Sequence, residues 1–374
     1  MATHKYACVE DFEEEGLGVV SGWFKLYYQT GCDEESTLRD SRLAFKRYRL
    51  RPRILRDVSK RDLSTTILGT RVTMPIAISP TAFHCAADLE GEKATARAAR
   101  DCGTLMVQSM ISNTTMADVA AAVPGTPLWM NIYMMKNREI TAYFAREAER
   151  CGYQGLVLTL DSARLGNHIK TANNRLNRYD DMTIKLANFD IPEIQETQEH
   201  KKLQPTMLGF FPPRISASVT TKEIRWLKSI TKLPIICKGV LTGETARELA
   251  EADVDGIIVS AHGGRQLDYV PAPLDALPEV VEAVSGFPVE VYMDGGVRTG
   301  TDVFKALARG ARAVFIGRPI IWGLACEGED GVKQVLEILR EEFSLAMALS
   351  GCAKLSDIQP SMVVHESYYH SAKL

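Results

Sequence analysis

Residues 289–319 read VEVYMDGGVRTGTDVFKALARGARAVFIGRP. The first six form a short run of apolar and β-branched residues ending in Asp294. A glycine-rich turn follows, then a helical stretch with a threonine cap candidate near its start, then a second apolar run, AVFIG, at 313–317. Strand, helix and strand in that order describe a βαβ unit, in which the helical crossover makes the two strands parallel.

Working outward, the same alternation covers most of the chain. Further strand candidates are MPIAIS (74–79), GTLMVQS (103–109), PLWMNIY (127–133), GLVLTL (155–160), PIICKG (234–239) and GIIVSA (256–261). Amphipathic helices lie between most of them. EGEKATARAARDCG puts Ala94, Ala98 and Cys102 on one face, and NREITAYFAREAERCG does so with Ile140, Phe144 and Ala148. Gly103 and Gly152 are the expected stops. TGETARELAEAD follows the fifth strand in the same way. Eight strand–helix units predict an α/β protein of TIM (β/α)₈ barrel type. An open doubly wound sheet is the alternative, and the lack of G-x-G-x-x-G after the first strand weighs against it.

One domain is therefore expected over residues 1–374, with the barrel at 74–350. Residues 1–73 read as an extension with helical stretches near 6–16 and 20–30, followed by the basic segment RLAFKRYRLRPRILRDV. The long polar stretch 167–220 follows strand four, so it reads as a lid-like loop over the C-terminal face. Residues 351–374 read as a tail.

Composition narrows the function classes. The chain is 45% hydrophobic and 24% charged, ordinary for a globular protein. A net charge of -3 gives no electrostatic case for nucleic acid. No apolar run reaches the roughly 18 residues of a membrane span. The start, MATHKYACVEDFEEEG, lacks a leader pattern. Eight scattered cysteines include no C-x-x-C pair, and Cys85, Cys102, Cys151 and Cys237 read as reduced core residues. The final Ala372-Lys373-Leu374 is similar to a peroxisomal address, which implies an import receptor as partner; the other reading is a cytoplasmic protein with a frayed tail.

Polar residues cluster at the strand ends that face one rim: Thr81 and Ala82, Ser109, Asn131 and Tyr133, Thr159 and Asp161, Lys238, His262 and Arg265, Asp294 with Gly295 and Gly296, and Gly317 with Arg318. A single one can be structural; a full ring of them calls for a ligand. The turns holding Arg298 and Arg318 offer backbone N–H groups and guanidinium forks, a phosphate-binding chemistry. A buried Lys238 ammonium needs an anionic partner; the residue can balance a reduced, anionic flavin ring, form a Schiff base, or pair structurally with a carboxylate. His262 suits a general base, Asp161 its orienting partner and Arg265 a carboxylate clamp.

These segments, together with AFKRYRLRPRILRDVS, LTLDSARLGN, GIIVS-HG-RQLDY and EFSLAMALSGC, resemble the FMN-dependent 2-hydroxy-acid oxidases over about residues 6–360. The resemblance implies FMN as cofactor, a small 2-hydroxy acid and oxygen as substrates, hydrogen peroxide as product, and a homo-tetramer. It implies His262 as the base, Asp161 as its partner, and Tyr27, Tyr133 and Arg265 at the substrate. It implies FMN contacts from Thr81, Ala82, Ser109, Asn131, Thr159, Lys238, Ser260, Asp294, Gly295, Gly296, Arg298, Gly317 and Arg318.

Three positions depart from the family pattern. His168 stands where a second carboxylate-binding arginine is usual, Ala261 where asparagine precedes the catalytic histidine, and Asn131 where glutamine is usual. The expectation is an atypical hydroxy-acid substrate. Two other readings stay open: a flavoprotein that has lost turnover and acts as a binding protein, and a non-redox FMN barrel such as a prenyl diphosphate isomerase, which the HG-RQ motif disfavours.

Overall fold

The computed structural model describes residues 5–20, 22–170, 186–189 and 212–371. Eight parallel strands close into a barrel: Ile76–Ile78, Met106–Gln108, Leu128–Tyr133, Leu156–Thr159, Ile235–Val240, Gly256–Val259, Glu290–Asp294 and Val314–Ile316. Each pairs with its neighbour in chain order, and the eighth returns to the first through Val314 opposite Ile76. All eight strands expected from the sequence are present, each followed by a helix. The open-sheet alternative is excluded by the closure.

The pleat explains both the core and the site. Successive side chains on a strand face opposite ways. Ala77, Val107, Trp129, Val157, Ile236, Ile258, Tyr292 and Phe315, one from each strand, form a single buried cluster inside the barrel. Trp129, Tyr292 and Phe315 fill its centre, with ring centroids 5.5–5.9 Å apart. Residues between these positions, such as Met130, Leu158, Cys237 and Met293, point outward into the larger core shared with the helices. Two residues beyond the plug, every strand again faces inward, now at the open C-terminal end. Those positions are Ser79, Ser109, Asn131, Thr159, Lys238, Ser260, Asp294 and Gly317.

The outer helices carry the caps their sequences promise. Thr242 and Thr299 accept from the backbone N–H of Thr245 and Asp302, and Asn137 accepts from Glu139. Gly103 and Gly152 adopt φ of +66° and +81° at the helix stops.

Three expectations need correction. The extension holds a third helix, Ser36–Lys46, which includes the start of the basic segment. Its buried face is Thr37, Ser41, Ala44 and Phe45, two of them polar, so the apolar period is weak. The tail is not loose: Val363–His365 pairs antiparallel with Tyr48–Leu50. Cys102 and Cys237 are buried as expected, but Cys85 and Cys151 are only half-buried; all eight cysteines are free thiols.

Of the polar stretch 167–220, residues 171–185 and 190–211 lie outside the described residues, as does Ala372-Lys373-Leu374. Asn188 is buried against the segment that follows the second strand. It donates to Ser112 Oγ at 2.7 Å and accepts from Met116 N–H at 2.9 Å.

Candidate active site

The inward ends of the strands form the floor of a cleft of about 1070 Å³. Lys238, only 4% exposed, sits at its centre. Its ammonium lies 3.3 Å from Asp294 Oδ2 and donates to Ser260 Oγ at 2.9 Å. Ser79 donates to the same carboxylate oxygen at 2.9 Å. Of the roles open to Lys238, pairing with a carboxylate is thus present in the structure. The pair is incomplete, however: Asp294 Oδ1 is buried and has no hydrogen-bond partner among the described residues. A buried acceptor left alone costs about 1–3 kcal/mol, so a ligand hydroxyl or N–H is called for there.

At one end of the cleft lie Arg298 and Arg318, both pushed down in pKa by burial. For Arg318 the drop reaches about 9, with the neighbouring Arg265 and Arg298 charges adding to it. Arg298 bonds Glu13 at 3.1 Å. Among the described residues Arg318 donates only to the carbonyls of Tyr28 (2.6 Å), Gly263 (3.0 Å) and Thr30 (3.2 Å). Glu13 is also bonded by Arg42 at 3.1 Å, and Arg318 has no carboxylate in contact among those residues, so the two buried guanidiniums form an anion site short of an anion. Gly295 and Gly296 adopt φ of +93° and +81°, and a Cβ on Gly296 would lie 1.9 Å from the Ser41 carbonyl. Only glycine fits that turn, so its backbone lies bare beside the arginines.

At the other end, His262 Nδ1 lies 2.8 Å from Asp161 Oδ1. Burial alone would raise the Asp161 pKa; the His262 charge and hydrogen bond, with Lys238, outweigh it and hold the carboxyl below its usual value. Asp161 therefore stays ionised and orients the ring, leaving Nε2 for the cleft. His262 itself has φ +53°, and Gly263 and Gly264 continue the left-handed turn at +62° and +73°. That unusual backbone at a non-glycine residue is what swings the imidazole off the end of strand six.

Arg265 ends the same turn, 4.2 Å over the Tyr27 ring and bonded to the Thr30 carbonyl at 3.0 Å and to that of Tyr27. Tyr133 is held protonated by burial, so at neutral pH it keeps its O–H.

Most residues expected from the sequence line this cleft, including Tyr27, Thr81, Ala82, Ser109, Asn131, Thr159 and Gly317. Three stand behind the wall. Asp161 backs His262, Ser260 supports Lys238 and the His262 N–H (3.0 Å), and His168 sits close enough to Arg265 and His262 to feel both charges. Asn131 is spent internally, donating to the Val157 carbonyl at 3.0 Å and Thr159 Oγ1 at 2.9 Å. Sequence reasoning missed Ser79, Ser41 and Arg42, which line the cleft, and Glu13. Ser79 was accessible through the pleat, two residues after Ala77; the others depend on the packing of the extension.

A TIM barrel with an orphaned acceptor, a central buried lysine and an anion site in one cleft is built for a phosphorylated, hydroxyl-bearing cofactor, and a flavin mononucleotide fits each feature. Comparison with known proteins agrees. The family model for FMN-dependent dehydrogenase matches residues 20–365, and the chain belongs to that family. It is 45% identical to human 2-hydroxyacid oxidase 1, covering 95% of this chain and 96% of that one. It is 45% identical to the Arabidopsis thaliana peroxisomal (S)-2-hydroxyacid oxidase GLO3, with 96% of each chain covered. Among solved structures, mandelate oxidase superposes with a TM-score of 0.85 at 34% identity, covering 95% of this chain and 98% of that one. FMN is accordingly the cofactor of this chain.

Proposed function

We propose that the chain oxidises an L-2-hydroxy acid to the 2-oxo acid and passes the two electrons to oxygen, giving hydrogen peroxide. The observation that carries this reading is the His262–Asp161 pair, with His262 and Arg265 on one turn lining the cleft. Arg265 binds the substrate carboxylate, and its charge-assisted contact fixes the 2-carbon near the ring-binding floor. Tyr27 and Tyr133 supply hydroxyls beside it. His262 Nε2 takes the 2-hydroxyl proton, and Asp161 stabilises the imidazolium that results. FMN, when bound, would supply the acceptor for the hydride equivalent leaving the 2-carbon. Lys238, Ser260 and Asp294 would hold the cofactor's polar edge, while Arg298, Arg318 and the Gly295–Gly296 turn would hold its phosphate. The experiment that tests this is reduction of the bound flavin by L-2-hydroxy acids without oxygen.

The relatives named peroxisomal support the same compartment here. In the proposed reading, Ala372-Lys373-Leu374 is the address read by the import receptor. A fluorescent reporter ending in these residues should be punctate in cells and diffuse once they are deleted. Diffuse signal from both would reject the address.

A further inference from the structure

Behind the cleft wall lies a buried imidazole that the proposed chemistry does not use. His84 is 1% exposed. Its Nε2 lies 2.6 Å from Thr81 Oγ1, and its Nδ1 lies 2.9 Å from Thr95 Oγ1. Thr81 lines the cleft; Thr95 belongs to the helix Gly91–Asp101 outside the barrel. Burial pushes the His84 pKa down, so the ring is neutral, with one donor nitrogen and one acceptor.

The direction of this hydrogen-bond chain follows from its far end. The Thr95 hydroxyl donates to the Gly91 carbonyl one turn back, at 3.4 Å. With its one hydrogen directed there, it would accept from His84 Nδ1–H. Nε2 is then bare and takes the hydrogen of the Thr81 hydroxyl. Thr81 is left with only lone pairs to offer the cleft.

The surrounding frame keeps this arrangement in place. Glu92, fully buried, accepts from the backbone N–H of His84 (3.2 Å) and Asn113 (3.1 Å) and from the Thr114 hydroxyl (2.8 Å). Tyr28 Oη reaches the Ala82 and Phe83 carbonyls at 2.6 and 2.8 Å. The segment between Thr81 and His84 is thus gripped from both sides, and Phe83 holds φ +64° within it.

We propose that His84 is a positioning residue for the cofactor: it fixes the Thr81 hydroxyl as an acceptor facing the cleft, for a hydroxyl or N–H donor of the flavin nucleotide. This rests on the reading of Thr81 and Ala82 as cofactor-facing. Asp294 Oδ1 offers a second bare acceptor, so the cleft demands donors from its ligand at two places.

The test compares holoprotein with the variants His84→Ala, His84→Gln and Thr95→Val. The measurements are FMN affinity by flavin fluorescence, the visible flavin spectrum and the flavin midpoint potential. His84→Ala and Thr95→Val are expected to weaken FMN binding about tenfold, the scale of one lost hydrogen bond, and to shift the spectrum and potential. His84→Gln keeps a neutral donor and acceptor and should recover most of the loss. In wild-type protein, ¹⁵N shifts should report His84 protonated on Nδ1. Should His84→Ala fail to fold, Thr95→Val still decides, since it leaves the imidazole in place. A folded Thr95→Val protein with wild-type affinity, spectrum and potential overturns the proposal, as does a His84 protonated on Nε2. Wild-type protein that binds no FMN would instead overturn the cofactor site itself.

Discussion

Replacing His262 with alanine is expected to slow reduction of the flavin by an L-2-hydroxy acid at least ~10²-fold, the usual scale for a general base, while FMN stays bound. The two effects separate because the structure separates the groups. In the proposed reading Lys238, Asp294, Arg298 and Arg318 would hold the cofactor, and their own contacts do not involve the imidazole. The His262 backbone N–H, bonded to Ser260 Oγ, survives the change. Alanine at φ +53° carries a backbone cost on the order of 1 kcal/mol that histidine already carries, so the turn should persist. Asp161 would lose its hydrogen-bond partner on His262, and its pKa should rise. Rapid-mixing spectroscopy of the variant reads the rate. Near-normal reduction would remove His262 from the role of base.

The second large effect belongs to His168. Burial, reinforced by the Arg265 charge, pushes its pKa down to about 4. The ring is therefore neutral from about pH 5 upward and takes on charge only as pH falls toward 4. Among the described residues its Nδ1 is buried without a hydrogen-bond partner, so the site forgoes a contact as well as a charge. One charge-assisted hydrogen bond is worth roughly 1.5–3 kcal/mol. Its loss costs about 10- to 150-fold in kcat/KM at ~1.4 kcal/mol per decade. Glycolate and lactate have little else to hold them and should be poor substrates. Longer or aromatic acids can offset the loss through apolar contact, at roughly 25 cal/mol per Å², and Ile111 on the cleft wall offers such a surface. His168→Arg should raise kcat/KM for glycolate about tenfold or more, with the gain flat between pH 6 and 9. Efficient glycolate turnover by the wild type, unchanged by the substitution, would refute this account of specificity.

The barrel was legible because each strand is a short, nearly continuous apolar run such as LWMNIY, buried on both faces, and flanking Gly, Pro and polar residues bound each run. The charged rim was legible because the same inward register continues past the plug from Trp129 to Asn131 and Tyr133, and from Ile236 to Lys238. What escaped the sequence has physical reasons. The helix Ser36–Lys46 buries Thr37 and Ser41 as well as Ala44 and Phe45, so polarity does not mark its inner face. Glu13 reaches Arg298 across 285 positions of chain, and no local pattern announces a contact of that kind. Ser79 went unread because serine at a strand end has an ordinary turn explanation. His168 was visible as a substitution, but its neutrality follows from burial and from Arg265 alongside, which only the fold supplies.

The central claim is that this cleft carries out flavin-mediated oxidation of L-2-hydroxy acids. Its most direct test is to mix the purified yellow protein anaerobically with a panel of such acids, small and aromatic, and follow the flavin absorbance. The account predicts that at least one L-acid bleaches the flavin, that its D-enantiomer does not, and that admitting oxygen restores the colour with one hydrogen peroxide per 2-oxo acid formed. A flavin that stays oxidised with every acid in the panel would contradict it.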